Sequence, residues 1–402
     1  MSPSLGLPAG LPQLVHDTFL RAKAAGDLSF FPTQVALLRV HGLPIQLRFA
    51  PALAKKPKSG EDEADKQAKA KDKDSGRRED AAPSKPFDPF ADPLPALLVV
   101  PSIGGSDGDG DGGGTAAGKP THRLVLNKFA ISQDHSILAT AAFRPQTHLL
   151  DAADLAAAYA CIEAYHEHRQ QATSTAGEDL FVFYNSGRHS GASQPHRHLQ
   201  LLPVARMREG LDASAKNDED DDADAGGGGW DVLVDRLAEG RGDGLPFYVA
   251  TAQLPVAETD DGAPVTPAFL HSTYLRLYRQ ACAAAEGTSA VIAETDAGGT
   301  NGGNNTVFDT AAEERGEVPA RISYNLALTR RTMAVMPRTA EGSAVVTAAD
   351  GDGGRLSLNG TVLAGTALVK NEAEWEALRK EPSRLAAVLA QIGVPARRTA
   401  AL

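Results

Sequence analysis

The sequence predicts an α+β fold: an antiparallel sheet packed by helices over residues 151–170 and 266–286, extended by a C-terminal hairpin and further helices. Three patterns carry that expectation. Residues 196–202 alternate at the strand period, so His196, His198 and Gln200 share one face while Leu199 and Leu201 share the other. Residues 123–129 and 136–143 read as adjacent antiparallel strands joined through 132–135, and residues 323–338 as a hairpin turning at Arg330-Arg331. Leu155, Tyr159, Ile162 and Tyr165 recur at helical spacing, as do Leu270, Tyr274, Leu277, Tyr278 and Ala281.

The remaining elements follow in order. Residues 12–25 form a helix with Leu14, Val15, Phe19 and Leu20 on one side, stopped by Gly26. Residues 30–47 are extended and close on the turn Leu53-Ala-Lys-Lys-Pro57. The Lys, Asp, Glu, Ala and Ser composition of 58–85 marks an exposed insertion, and the glycine and aspartate tract of 104–118 a second one. Asp151 caps the helix that follows. Residues 180–184 are a strand that leads into the central stretch, and the acidic, then glycine-rich, run of 212–229 separates an N-terminal region, 1–229, from a C-terminal region, 230–402. Beyond it, 247–254 and 290–294 read as strands. Thr266 and Pro267 open the second long helix, 295–318 reads as a mobile polar loop, and 344–368 contains strand-like pieces. Helices over 372–380 and 383–392 end the chain, the latter docking through Leu385, Val388, Leu389 and Ile392 and stopped by Gly393.

Composition narrows the function classes. With 402 residues, 39 Gly and 25 Pro, the chain reads as one main core with appended segments, and its 42% hydrophobic content is ample for that core. A net charge of −11 disfavours broad nucleic-acid binding, and the acidic run of 217–224 reads as a solvated loop. Cys161 and Cys282 are the only cysteines and lie in helical apolar patterns, as expected for buried thiols in a reducing compartment. No basic segment followed by an apolar run opens the chain, and residues 93–103 are too short and proline-broken to span a bilayer. The expectation is a soluble protein, cytoplasmic or nuclear, without a membrane partner.

Chemistry concentrates in residues 183–200. Ser186, Gly187, Ser190, Gly191, Ala192 and Ser193 form a small turn whose backbone N–H groups can approach a phosphate. An imidazole beside such a cradle suits nucleotidyl transfer, because it is nucleophilic when neutral and forms a phosphoramidate that breaks again readily. On the residues alone two other readings stand: a metal half-site of a cupin-like barrel, or a pair of structural histidines. A second pair, His166 and His168, falls in a helix, where positions two apart do not share a face, and no other cluster has metal-like spacing. Asn127 and Lys128 end the first strand of the pair, where a cation can meet phosphate or merely face solvent.

Four blocks in fixed order carry a family resemblance: Val125-Leu-Asn-Lys-Phe129, Phe183-Tyr-Asn-Ser-Gly187, Ser190-Gly-Ala-Ser-Gln-Pro-His-Arg-His-Leu-Gln200, and Tyr324-Asn-Leu-Ala-Leu-Thr329 with Val335-Met-Pro-Arg338. In these the chain resembles the fungal diadenosine tetraphosphate phosphorylases, or ATP adenylyltransferases, of the histidine-triad superfamily, near the galactose-1-phosphate uridylyltransferases. The resemblance implies a histidine-triad-like sheet with His198 as the adenylylated nucleophile and Gln200 where other members carry a third histidine. It implies that Asn185, Gly191, Ser193 and Gln200 contact the α-phosphate or ribose, that Asn127 and Lys128 line the nucleotide site, and that Lys56 reaches the polyphosphate. Asn325, Thr329 and Arg338 would complete the site from the hairpin. The chain departs from the family at Ala192, often Ser, whose contact would fall to Ser193, and at Thr332, where an aromatic residue is common.

The implied reaction is ping-pong phosphorolysis of diadenosine tetraphosphate with inorganic phosphate to give ATP and ADP. The implied enzyme is a monomer with no tightly bound cofactor and no metal site of its own, a divalent cation, Mg or Mn, accompanying the polyphosphate. The alternatives are a nucleotidyltransferase acting on a nucleotide sugar and a nucleotide-binding protein without turnover.

Overall fold

The computed structural model describes residues 5–55, 88–104, 121–171, 179–211, 229–242, 244–256, 264–291, 310–345 and 354–396. The insertions expected over 58–85, 104–118 and 212–229 lie outside these residues apart from Gly104 and Gly229, as does the first part of the loop expected over 295–318.

In chain order, helix α1 (Leu11–Ala25) precedes strand β1 (Ser29–Phe30) and the hairpin of β2 (Gln34–Val40) and β3 (Leu43–Phe49). Strands β4 (Leu98–Ile103), β5 (His122–Leu126), β6 (Phe129–Ala130) and β7 (Ser136–Thr140) follow, then helix α2 (Ala152–Gln171), β8 (Leu180–Ser186), β9 (His198–Pro203) and α3 (Val204–Arg208). The second half runs α4 (Leu233–Ala238), β10 (Ala250–Gln253), α5 (Pro267–Ala285), α6 (Thr310–Glu314), β11 (Tyr324–Leu328) and β12 (Thr332–Pro337). It ends with β13 (Gly342–Ala344), β14 (Arg355–Ser357), β15 (Thr366–Val369), α7 (Glu372–Lys380) and α8 (Ser383–Ile392).

An eight-stranded antiparallel sheet, ordered β10-β12-β11-β8-β9-β7-β5-β4, dominates the molecule. It draws three strands from beyond residue 230, so the expected division at 229 falls between stretches of one continuous sheet. Helices α1, α2 and α5 cover one face, where Leu199, Leu201, Val182, Tyr184, Leu326 and Val335 meet Phe19, Leu155, Ile162 and Tyr274 in one apolar core. The start signals read from the sequence are present. The Thr266 hydroxyl accepts from the Phe269 N–H at 3.1 Å, and Asp151 and Asp154 each accept from the other's backbone N–H at 2.9 Å.

The opposite face is covered only in part. Over β8, β11 and β12, Phe181, Phe183, Ala327, Ala334 and Met336 pack against the β15-β3-β2 sheet and helices α7 and α8, and Phe49 stacks on Trp375 with centroids 5.4 Å apart. Towards the other end, Val125, Ile137 and Ala139 form a small cluster with Phe90. Between these two apolar patches stands β9, with Ala139 opposite His198 and Ile137 opposite Gln200.

Three expectations change. Residues 247–254 yield a strand only at Ala250–Gln253, because the register that places Ala250 opposite Val335 would bring Tyr248 opposite Pro337, which has no N–H. Tyr248 instead donates to the Val394 carbonyl at 2.7 Å. Of the strand expected over 290–294, Val291 makes an isolated bridge to Ile322, and the residues beyond it are not described. Residues 310–318 are no mobile loop: α6 forms there, Glu313 pairs with Arg279 at 2.8 Å, and the Gly316 carbonyl accepts from Arg197. Among the described residues no helix is long and apolar enough to cross a membrane.

Beneath the site, on the helix-covered face, Arg197 is fully buried and donates to the Asp154 carboxylate at 2.8 Å and to the Gly316 carbonyl at 2.8 Å. The other Asp154 oxygen meets His122 Nε2 at 2.9 Å. Burial alone would raise the Asp154 carboxyl, but the His122 hydrogen bond and the Arg197 charge outweigh it and hold the pKa at about 2. Asp154→Ala leaves the Arg197 charge buried without its carboxylate, and urea unfolding is expected to show a loss of about 3–5 kcal/mol.

Candidate active site

Strand β9 positions the nucleophile candidate. Because Arg197 points into the helix-covered core, its neighbours His196 and His198 point to the open face, as the strand period requires. Strands β8 and β9 pair from Leu180 with Pro203 to Phe183 with Gln200 and then part. Gln146 fills the gap: its amide donates to the Asn185 carbonyl at 2.8 Å and the His198 carbonyl at 3.1 Å, and accepts from the His198 N–H at 2.7 Å. The parting of the strands makes room for the loop of residues 187–197.

The His198 ring has one fixed nitrogen. Nδ1 lies 2.8 Å from the His196 carbonyl, which can only accept, so Nδ1 carries the hydrogen and Nε2 presents its lone pair. Nε2 has no hydrogen-bond partner among the described residues. With the residue only 2% exposed, burial pushes the imidazole pKa down to about 4, so the ring is neutral at physiological pH. A neutral, oriented imidazole is the form that attacks phosphorus.

Gln200 is oriented by a chain of single polarity. The Asn127 amide oxygen accepts from the Phe129 N–H at 3.0 Å, which leaves Nδ2 to donate to His135 Nδ1 at 3.1 Å. Burial holds the His135 pKa at about 4, so this ring too is neutral, and its one N–H, on Nε2, donates to Gln200 Oε1 at 3.0 Å. The Gln200 Nε2 donors are thereby left for a ligand. The turn bearing His135 is itself clamped, since Asp134, in the left-handed region at φ 62, meets His16 of α1 at 3.2 Å and Arg206 of α3 at 2.9 Å.

The glycine-bearing loop lies at the entrance to β9. Gly191 has φ +79, and a Cβ there would stand 2.8 Å from the Asn359 Cβ, so only glycine fits. The backbone N–H groups of Gly191, Ala192 and Ser193 donate to nothing among the described residues, and Ala192 and Ser193 are exposed. Such donors suit an anion. Among the described residues no group of three or more His, Cys, Asp or Glu side chains is placed to hold a metal ion.

Comparison with known proteins bears on this geometry. Family models match the chain as the Ap4A phosphorylase N-terminal domain over residues 116–214 and the ATP adenylyltransferase C-terminal domain over residues 243–395, together more than half of its length. The chain belongs to the Ap4A phosphorylase family. Diadenosine 5',5'''-P1,P4-tetraphosphate phosphorylase 2 of Saccharomyces cerevisiae is 28% identical over 398 residues, 96% of this chain and 95% of that protein. Protein APA1 of the same yeast is 23% identical over 404 residues, 97% of this chain and 96% of that protein. The fold is similar to that of yeast Ap4A phosphorylase Apa2, with a TM-score of 0.62, 23% identity and coverage of 97% of this chain and 99% of that one. The structure of Apa2 in complex with Ap4A matches with a TM-score of 0.60 at 24% identity, over 97% of this chain and 99% of that one.

Not every residue expected at the site of this Ap4A phosphorylase family member reaches it. Arg338 is fully buried: its guanidinium donates to the carbonyls of Ile392, Ala340, Glu341 and Leu358 and to the Asn325 amide oxygen. A guanidinium so occupied is not available to polyphosphate. Asn325 in turn donates to Asn185 Oδ1 at 2.8 Å and the Ser190 carbonyl at 3.0 Å, and Asn185 Oδ1 also accepts from the Gly360 N–H at 2.9 Å. Arg338 and Asn325 therefore hold the loop of residues 187–197 and the segment of 358–360 rather than presenting donors to a nucleotide, whereas only the oxygen of Asn185 is so used and its Nδ2 donates to nothing among the described residues.

Thr329 sits at the hairpin end, donating to Asp235 at 2.7 Å and accepting from the N–H groups of Arg331 and Thr332. Thr332 is buried there, where a ligand does not stack. Asn127 acts on Gln200 through His135, the Lys128 ammonium lies 5.6 Å from the Phe129 ring centroid, and Lys56 lies outside the described residues. His135, Gln146 and the 88–91 turn escaped the sequence reading. His135 closes a strand connection, where a turn residue is the ordinary expectation, and only its place two residues before Ile137, the strand partner of Gln200, could have marked it.

Gln200→Ala is expected to slow adenylyl transfer by about 10²–10³-fold, the scale for losing one donor to a developing negative charge. His135→Phe should cost less, and the double variant should be no slower than Gln200→Ala alone, because His135 works through Gln200. Single-turnover rates for the three variants check this.

Proposed function

We propose that this protein phosphorolyses diadenosine tetraphosphate to ATP and ADP through an adenylylated His198. The observation that carries the proposal is the fixed, neutral imidazole of His198, with Nδ1 on the His196 carbonyl and Nε2 open. Membership of the Ap4A phosphorylase family supplies the substrate class.

In the first half-reaction Nε2 attacks an α-phosphorus. A P–N bond forms, the bridging P–O bond breaks, and ATP departs. The ring becomes cationic, and its Nδ1–H remains on the His196 carbonyl, a hydrogen bond that strengthens as the donor gains charge. The Gln200 amide donors and the open N–H groups of Gly191, Ala192 and Ser193 are suited to hold the non-bridging oxygens. In the second half-reaction inorganic phosphate attacks the same phosphorus, the P–N bond breaks, and ADP leaves. Gln200 supplies no proton, which leaves the intermediate to the phosphate nucleophile. A divalent cation, Mg or Mn, would arrive on the polyphosphate. The same reading carries a monomeric enzyme of the cytoplasm, also nuclear, with no nucleic-acid or membrane partner.

Intact-protein mass spectrometry after mixing with diadenosine tetraphosphate in the absence of phosphate is expected to show one added AMP, acid-labile, absent in His198→Ala, and discharged as ADP when phosphate is added. Nucleotide binding with no adduct would overturn the proposal in favour of a binding protein. Discharge by a sugar phosphate in place of phosphate would favour a nucleotide-sugar transferase.

The pH dependence follows from the burial of His198. The reactive form is neutral, and its pKa is lowered, so activity persists as pH falls through the ordinary imidazole range and is lost only on approaching about 4. The kcat/KM profile for the first half-reaction is expected to show that acid limb, and a limb near 6.5 would contradict it.

A further inference from the structure

The 88–91 turn lies over the nucleophile and has no part in the reaction as described so far. It is built and anchored from several sides. Asp88 Oδ1 accepts from the Phe90 N–H at 2.9 Å and the Ala91 N–H at 3.2 Å, which closes the turn. Asp88 Oδ2 meets His196 Nδ1 at 2.7 Å, and the other nitrogen of that ring lies 2.8 Å from the Thr140 carbonyl. From the sheet, Arg123 donates to the Ala91 carbonyl at 2.7 Å and the Phe90 carbonyl at 3.2 Å.

The product of these anchors is the placement of one ring. Phe90 is 5% exposed, and its centroid lies 4.9 Å from that of His198, with the planes tilted by 38°. It also meets His196 edge-on at 5.8 Å. One hydrogen bond through Nδ1 leaves the His198 ring free to turn about its last torsion, whose energy well is broad. A flat apolar neighbour in contact removes that freedom and displaces the water that would hydrate the imidazole. The charged and titratable groups facing His198 are His196 and Asp88, with His135 beyond Gln200.

We propose that the 88–91 turn is a positioning element for the nucleophile: Phe90 holds the His198 ring dry and in register with the His196 carbonyl, and Asp88, through His196, holds Phe90 in place. Phe90 acts on the His198 and His196 rings and Asp88 on His196, and neither makes or breaks a bond in the proposed reaction, so both are positioning residues. The inference rests on His198 being the reacting residue, but its physical content, a ring kept dehydrated, is measurable without substrate.

The test is the titration of His198 by NMR in the substrate-free protein, assigned with His198→Ala, together with single-turnover adenylylation. Phe90→Ala should move the His198 midpoint upward by about one unit or more, towards the ordinary imidazole value, as water reaches the ring. Its adenylylation rate should fall about tenfold or more, with the acid limb shifted the same way. Phe90→Tyr, which keeps the ring, should restore both values. Asp88→Ala should lower the adenylylation rate in the Phe90→Ala direction, while the loss of its charge, which favours the protonated His198 ring, opposes the upward move of the midpoint.

A Phe90→Ala or Phe90→Leu protein that keeps the wild-type unfolding midpoint and an unmoved His198 titration would overturn the proposal. If wild-type protein forms no His198 adduct, the proposed reaction fails, while the titration still decides whether Phe90 governs the ring.

Discussion

The buried pairing of Arg197 with Asp154 is the constraint on which the site depends. A guanidinium taken out of water is tolerated only against a carboxylate and carbonyl oxygens in good geometry, and α2 and the segment around Gly316 supply both. With Arg197 committed to the helix-covered side, the pleat leaves His196 and His198 only the other face. The same pleat sets Leu199 into the core and Gln200 beside His198. Geometry that looks local to a short motif is therefore imposed from the far side of the sheet.

On the open face, chemistry is layered. In the proposed reaction the reacting layer is small: the Nε2 of His198, the Nε2 donors of Gln200 and the 191–193 amides, which are unpaired among the described residues. Behind it stand groups whose hydrogen bonds are spent on orientation. Asn127 and His135 fix the direction of the Gln200 amide, Gln146 takes the place of a strand where β8 and β9 part, and Arg338 with Asn325 and Asn185 holds the loop. Two apolar patches flank this strip and lower the local dielectric, and burial is the largest influence on both His135 and His198.

Much of this was legible in the chain. The alternation over 196–202 gave the strand and the common face of His198 and Gln200, and the apolar spacing in α2 and α5 gave the helices that cover the other face. Thr266 with Pro267, and Asp151 with Asp154, marked the helix starts correctly. Polar residues in shared motifs were harder to divide between ligand and scaffold. Arg338 and Asn325 have the chemistry of phosphate and ribose contacts, yet the carbonyls of Ala340, Glu341 and Leu358 occupy the one, and Arg338, Asn185 and the Ser190 carbonyl occupy the other.

By itself the sequence determined the periodicities, the strand face that carries the histidines, the glycine-bearing loop before them, and through its motifs the family. These are properties of neighbours along the chain, where spacing translates directly into direction. Only the tertiary structure decided that His135 stands behind Gln200, that Phe90 packs against the His198 ring, and that Arg338 supports the loop. Each of those depends on a partner distant along the chain: Gln200 lies 65 positions after His135, His198 108 after Phe90, and Ile392 54 after Arg338. No local pattern encodes such a meeting, because a side chain's hydrogen bonds and its exposure to water are set by whatever the fold brings beside it.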